Sequence, residues 1–109
     1  MTTKEFTKRE FREISNDVSR IAREISETNK YVCSVWFFGE FTILKIQNKT
    51  DYLCVADVMF NKKKYGTIGE FEKFVKILET LPQIKLGKRL ERIILSYKDC
   101  NKNDLYFNI

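Results

Sequence analysis

The fold is decided by Tyr31-Val-Cys-Ser-Val-Trp-Phe-Phe38-Gly-Glu-Phe-Thr-Ile-Leu-Lys-Ile-Gln47, a stretch dense in aromatic and β-branched residues. Such residues favour strands, because their side chains pack well on a pleated, half-buried surface. Gly39-Glu40 interrupts the run with the two-residue signal of a tight hairpin, in which glycine supplies the turn conformation. The stretch therefore predicts two antiparallel strands, over residues 31–38 and 41–47.

Both alternating faces of the first predicted strand are apolar. Successive side chains point to opposite faces, so Trp36 and Phe38 share one face while Val35 and Phe37 share the other. A strand of this kind either lies centrally with both faces covered or leaves one face open to a partner. The chain offers two predicted helices to do the covering, and both alternatives stay open.

The remaining pattern predicts one α+β domain over residues 1–109, with an amphipathic helix in 1–29 and the sheet in 30–109. A core helix is indicated by the capping pair Thr67 and Glu70 and by Pro82 at its end. The predicted elements after the hairpin are a third strand over 52–60, the core helix over 67–81, a fourth strand over 90–97 and a fifth strand over 105–109. The order α-β-β-β-α-β-β predicts a mostly antiparallel sheet of about five strands with helices packed on one side.

The N-terminal helix, predicted over about residues 7–28, carries a narrow apolar stripe. The members of the stripe are spaced alternately three and four residues apart: Phe11, Ile14, Val18, Ile21 and Ile25. A surface helix laid across a sheet has such a stripe, and this is the favoured interpretation. The same spacing occurs in coiled-coil seams, so an oligomer assembled through this helix, such as a homodimer, is the alternative.

The composition argues against catalysis. The chain has no histidine, which is the commonest general base and the commonest metal ligand in proteins. Its three cysteines, Cys33, Cys54 and Cys100, lack metal-ligand spacing, and reduced thiols are expected. The sequence contains no Ser-x-x-Lys or Gly-x-Ser-x-Gly motif and no glycine-rich phosphate loop. We therefore expect a protein that is not an enzyme and that holds neither a metal nor a cofactor.

Targeting signals are also missing from the sequence. The N-terminus lacks the apolar core of a signal peptide, and no apolar run is long enough to cross a bilayer. Together with the reduced cysteines, these features predict a cytoplasmic protein without a membrane partner.

The net charge of +5 belongs to the sheet and its connections, and two basic clusters contribute to it. The first cluster is Lys62, Lys63 and Lys64 with Tyr65, and the second is Lys85, Lys88, Arg89 and Arg92. Basic side chains release counterions from phosphates, and exposed aromatic rings stack on unpaired bases. The candidate aromatic platform is Trp36, Phe38 and Tyr52. The alternative is that the lysine-rich turn is only solvated, and no RNA-recognition or helix-turn-helix motif accompanies the clusters.

Asp57 is the acidic residue in the least usual position, because it lies in the middle of an apolar strand. A carboxylate that turned inward would need a partner. A magnesium site would need converging carboxylates, for which Glu40, Asp99 and Asp104 are loose candidates. An ion pair with a lysine or arginine, or an outward-facing position, is the favoured interpretation.

These observations favour a small, non-enzymatic binding protein that acts by docking on another macromolecule, as an inhibitor or regulator. A protein partner is expected, alone or within a nucleic-acid-processing complex. The abundance of lysine, asparagine, isoleucine and phenylalanine is typical of AT-rich genes and suggests a phage or mobile element as the source. Direct binding of single-stranded nucleic acid is the first alternative, and an oligomeric regulatory subunit built on the N-terminal helix is the second.

Overall fold

The structure is a computed structural model, which describes residues 7–61 and 68–98. Within these ranges the chain forms three helices and three strands in the order α-β-β-β-α-α. They are α1 (Lys8–Ser26), β1 (Tyr31–Phe38), β2 (Phe41–Asn48), β3 (Cys54–Asn61), α2 (Ile68–Glu79) and α3 (Lys88–Lys98). The strands form one antiparallel sheet in the order β1-β2-β3. The α+β class is confirmed, while the predicted element order is wrong.

The hairpin between β1 and β2 is present, with Gly39-Glu40 as its turn. Phe38 lies directly opposite Phe41, and the strands stay in register along their whole length. Gly39 has a φ of 39°, in the left-handed region that a residue with a side chain rarely adopts. The turn therefore fixes which residues of the two strands face each other.

One face of the sheet, here called the inner face, holds the core. Its buried residues are Thr42, Leu44 and Ile46 of β2 together with Ala56, Val58 and Phe60 of β3. The register aligns these residues across the two strands, so they alternate with the residues of the opposite face. The register shifts between Ile46 and Gln47, where β3 carries one extra residue.

Helix α1 lies on the inner face and begins at a capping box. Thr7 Oγ1 accepts a hydrogen bond from Glu10 N, and Glu10 Oε1 accepts one from Thr7 N, at 3.1 and 3.0 Å. The apolar stripe is buried in the core, at no more than 8% exposure: Phe11, Ile14, Val18, Ile21 and Ile25. The Ser15 hydroxyl lies 2.7 Å from that of Thr42, which fixes the helix over the inner face.

Helix α2 covers the β3 side of the inner face. The ring of Phe74 meets those of Phe60 and Phe71 edge-on, with centroids 6.1 and 6.0 Å apart. At the edge of β3, Glu70 Oε1 accepts a hydrogen bond from Asp57 N at 2.9 Å. The helix therefore completes the core and also shields part of a sheet edge.

The predicted fourth strand over 90–97 is wrong, because this segment belongs to helix α3. Leu90, Ile93 and Ile94 are buried together, since residues three and four positions apart share one face of a helix. The helix begins after Gly87, whose N–H donates to Asp17 Oδ2 of α1 at 2.8 Å. The described residues therefore form a sheet of three strands instead of five. The predicted fifth strand over 105–109 lies outside them.

Candidate functional site

The second face of the sheet, here called the outer face, is rich in apolar side chains. By register it contains Val32, Trp36, Phe38, Phe41, Ile43 and Met59. Helices α1 and α2 both pack on the opposite, inner face. Trp36, Phe38 and Phe41 are 43%, 53% and 42% exposed. The predicted sharing of a face by Trp36 and Phe38 is confirmed, and the end of the sheet nearest the hairpin turn presents aromatic rings to solvent.

The aromatic residues form one continuous patch. Phe38 lies opposite Phe41 and Trp36 lies opposite Ile43, while Met59 follows on the next strand. Side chains in such cross-strand positions touch, because their Cβ atoms are about 4.5–5.5 Å apart. Three rings that each offer about half of roughly 150–250 Å² expose on the order of 300 Å². Patches of this size on soluble proteins are often functional.

The charge on the outer face is balanced. Lys45 lies in the middle of β2 and is directly opposite Asp57 of β3. Asp57 is exposed, in agreement with the outward-facing interpretation. Among the described residues of the outer face, one cation is thus matched by one neighbouring anion. The rings of Trp36 and Phe38 are therefore not surrounded by positive charge in this part of the chain.

Only the second of the two predicted basic clusters lies within the described residues. Residues 62–65, which form the first cluster, lie outside the described residues. In the second cluster Lys85, Lys88 and Arg92 are exposed around the start of α3. Arg89 instead donates to Glu10 Oε2 at 2.6 Å and to Glu13 Oε2 at 2.9 Å, so α1 neutralises its charge.

Tyr52 is exposed but does not join the predicted aromatic platform. It lies in the turn between β2 and β3, with a φ of 58° and its N–H bonded to the Asn48 carbonyl. This turn follows the end of β2 that is farthest from Phe41. The structure therefore brings Trp36 and Phe38 together and places Tyr52 at the other end of the sheet.

The helix stripe proposed as an oligomer seam is occupied within the chain itself. Ile14, Val18 and Ile21 each expose 1% or less, because they contact the inner face of the sheet. A stripe that closes the core of its own chain is not available to a second copy. The surface-helix interpretation accounts for its spacing.

A groove of about 370 Å³, which the sequence did not predict, adjoins the outer face. It lies between the first half of α1 and the hairpin, with Lys8 and Arg12 at its rim and Phe37 and Phe41 on its walls. The two sides of the groove are distant in sequence, so only the packing of α1 on the sheet forms it. One feature of the sequence could have indicated the groove: no acidic residue lies three or four positions from Arg12 on the predicted helix.

The described residues meet few of the requirements of a nucleophile or of a metal site. Burial raises the pKa of the Cys33 thiol to about 11, against a smaller opposing effect of its contact with Ser26, so this thiol stays protonated at neutral pH. Residues 7–61 and 68–98 contain no group of three or more His, Cys, Asp or Glu side chains placed to hold a metal ion. In the same ranges no helix combines the length and apolarity that crossing a bilayer requires.

No protein-family model, curated protein or solved structure matches this chain. The outer face and the groove beside it are therefore the features of the described structure that bear on function.

Proposed function

We propose that this chain is a binding protein that docks on another protein through the outer face of its sheet and acts as an inhibitor or regulator. The observation that carries the proposal is the exposed aromatic patch of Trp36, Phe38 and Phe41 on a face that bears balanced charge. Centres of protein interfaces are enriched in aromatic residues and depleted of charged ones. Trp36 is the strongest candidate anchor, because tryptophan is over-represented among residues that dominate binding energy.

Docking by the face is favoured over addition of a strand to a sheet edge. At the β3 edge the carboxylate of Glu70 already accepts the hydrogen bond that the N–H of Asp57 donates. At the β1 edge Ser26 Oγ accepts the N–H of Cys33 at 3.0 Å. A partner strand would have to displace these contacts, and side chains placed over sheet edges usually oppose such pairing.

Direct binding of single-stranded nucleic acid is the alternative to this proposal. Such binding combines stacking rings with cations that follow the backbone. On the described outer face Lys45 lies opposite Asp57, and at the start of α3 two glutamates of α1 neutralise the charge of Arg89. The described cations beside the aromatic patch include Lys8 and Arg12, which line a groove with Phe41. A strand laid across Trp36 and Phe38 would therefore meet positive charge at that end of the patch.

The test compares two variants that each remove one apolar side chain of equal exposure. Phe38→Thr alters the outer face, whereas Leu95→Thr alters helix α3, and both side chains are 53% exposed. Proteins captured by the unmodified chain are identified, purified and titrated while the fluorescence of Trp36, the only tryptophan, is followed. We expect affinity to fall by about tenfold or more for Phe38→Thr and to stay unchanged for Leu95→Thr. Equal affinities for all three chains would overturn the proposal.

The same fluorescence signal tests the nucleic-acid alternative. Single-stranded DNA and RNA are titrated at low and high salt. The proposal predicts no salt-dependent change in the emission of Trp36. Binding at roughly 10⁻⁶ M or tighter that weakens steeply with salt would favour nucleic acid as the partner.

A further inference from the structure

The groove between α1 and the hairpin has the features of a built binding site. Its rim carries two cations, Lys8 and Arg12, its walls carry two rings, Phe37 and Phe41, and its floor carries the hydroxyl groups of Ser15 and Thr42. A volume of about 370 Å³ is at the lower end of the range for ligand pockets, roughly 300–1,000 Å³. One large side chain and its neighbours fit a space of this size.

The two rim cations have no acidic partner among the described residues. Lys8 and Arg12 lie one helical turn apart on α1, where like charges repel. The same helix pairs two of its other arginines with carboxylates, Arg9 with Glu13 and Arg20 with Glu24. The positions three and four residues beyond Arg12 are Ser15 and Asn16, so the helix supplies no counter-charge there. An anion from outside the described residues would relieve this repulsion.

The floor of the groove retains a hydrogen-bond donor. Ser15 Oγ and Thr42 Oγ1 are 2.7 Å apart, and both residues are more than nine-tenths buried. Each hydroxyl carries one hydrogen, and the contact between them uses one of the two. The second hydrogen has no acceptor among the described residues.

The aromatic walls connect the groove to the outer face. Phe37 is 59% exposed on the side of the hairpin that faces α1. Phe41 lines the groove and is also a member of the outer aromatic patch. Phe41 therefore links the outer aromatic patch to the groove, and a chain lying on Trp36 and Phe38 can continue past Phe41 into it.

We propose that the groove binds an acidic peptide segment of the protein partner. An aromatic or aliphatic side chain of the segment packs against Phe37 and Phe41, and flanking carboxylates contact Lys8 and Arg12. Arginine suits this role, because its guanidinium can donate two parallel hydrogen bonds to one carboxylate. This inference rests on the proposed function in one respect, namely that the partner is a protein, and it adds the chemistry by which a segment of that partner is recognised.

The test uses capped synthetic peptides and backbone-amide NMR spectra of the full chain. One peptide has a phenylalanine flanked by glutamates, and two matched peptides replace the glutamates with glutamines or with lysines. We expect the acidic peptide alone to shift the amide signals of Arg12, Phe37 and Thr42. We also expect Arg12→Gln to weaken its affinity about tenfold, the effect of losing one charge-assisted contact. Arg23→Gln, an exposed position near the other end of α1, is the control and should leave the affinity unchanged.

Three results would overturn the inference. They are equal binding of the glutamine peptide, unchanged affinity after Arg12→Gln, and tighter binding of a short oligothymidine at the same amides. Phe38→Thr separates this inference from the proposed function, because Phe38 does not line the groove. Loss of partner binding by Phe38→Thr with retained binding of the acidic peptide supports both the outer face and the groove. Loss of partner binding by Phe38→Thr, together with a groove that does not respond to the acidic peptide in the unmodified chain, removes this inference and leaves the proposed function standing.

Discussion

Ser15 and Thr42 are 27 positions apart in sequence, yet their hydroxyl oxygens lie 2.7 Å apart in the core. Ser15 is on the buried side of α1, and Thr42 is on the inner face of β2. A polar contact in such a place fixes how the helix lies on the sheet, because a hydroxyl displaced from its partner would be buried without a hydrogen bond. The contact also supports the floor of the groove next to the outer face.

The first prediction concerns this pair of hydroxyls. Thr42→Val should lower the free energy of unfolding by about 1–3 kcal/mol, because the Ser15 hydroxyl then stays buried without its partner. Adding Ser15→Ala should restore part of this loss, since both buried polar groups are then gone. Urea unfolding of the two single variants and the double variant measures the coupling. Strictly additive losses would show that the hydroxyls do not interact.

The second prediction concerns the junction of α1 and α3. A Cβ atom at Gly87 would lie 2.8 Å from Asp17 Oδ2, which accepts the Gly87 N–H, while Oδ1 of the same carboxylate accepts a hydrogen bond from Arg20. Gly87→Ala should therefore destabilise the fold by about 1–3 kcal/mol through overpacking. Gly69→Ala is the matched control, because a Cβ there has nothing within 4 Å. The control should be neutral or stabilising by about 0.4–1 kcal/mol, and thermal unfolding compares the two. Equal effects would contradict the tight junction.

The third prediction concerns pH. The Lys73 ammonium donates to Glu70 Oε2 at 2.9 Å, and this bond, helped by the N–H of Asp57, holds the pKa of Glu70 below its ordinary value of 4.5. A carboxyl group with a lowered pKa in the folded state stabilises the protein above its unfolded pKa. That stability is lost as the pH falls through the folded pKa.

Glu70→Gln should therefore be less stable than the unmodified chain near neutral pH, and the difference should shrink as the pH falls below 4.5. Glu40→Gln in the exposed hairpin turn is the control, because it makes the same change of net charge at a position outside the β3 edge. Urea unfolding over a pH series checks both variants. A difference for Glu70→Gln that persists undiminished at acid pH would refute the role of its charge.

The fourth prediction concerns thiol reactivity. Cys33 packs against the core, and burial raises its pKa to about 11, so only about one thiol in a thousand is ionised at pH 8. Cys54 is exposed at the start of β3. Iodoacetamide should therefore label Cys54 much faster than Cys33 in the folded chain, as followed by mass spectrometry of peptides. Denaturant should remove the difference, whereas similar rates in the folded chain would contradict the burial of Cys33.

The sequence predicted the hairpin and α1 well, because both depend on local pattern. Gly39 supplied the turn signal, and alternation placed Trp36 and Phe38 on the same face. The regular stripe of α1 indicated a helix that covers a sheet, which is where Ile14 and Val18 are buried. These elements could be predicted because neighbouring residues carry the whole signal.

Helix α3 could not be predicted as easily, because tertiary contacts decide it. The adjacent Ile93 and Ile94 favour a strand by residue type, yet with Leu90 they also match the spacing of a buried helical face. The hydrogen bond from Gly87 N–H to Asp17 joins residues 70 positions apart, so no local sequence pattern predicts it.

The candidate site was predicted in part for the same reason. Alternation identified the aromatic face, but the contribution of Phe41 depends on its position opposite Phe38 across the turn. The capture of Arg89 by glutamates of α1 depends on the packing of α3, so its loss from the second basic cluster was not visible in sequence. The groove likewise exists only once α1 lies on the sheet.

The most direct test of docking through the outer face is site-specific photocrosslinking in cells that express the chain. A benzophenone amino acid replaces Phe38 in one sample and Leu95 in another, since both side chains are 53% exposed on different surfaces. We predict a discrete protein adduct from position 38 that survives nuclease treatment and is missing from position 95. Equal adducts from both positions, or an adduct from position 38 that nucleases remove, would contradict protein docking through the outer face.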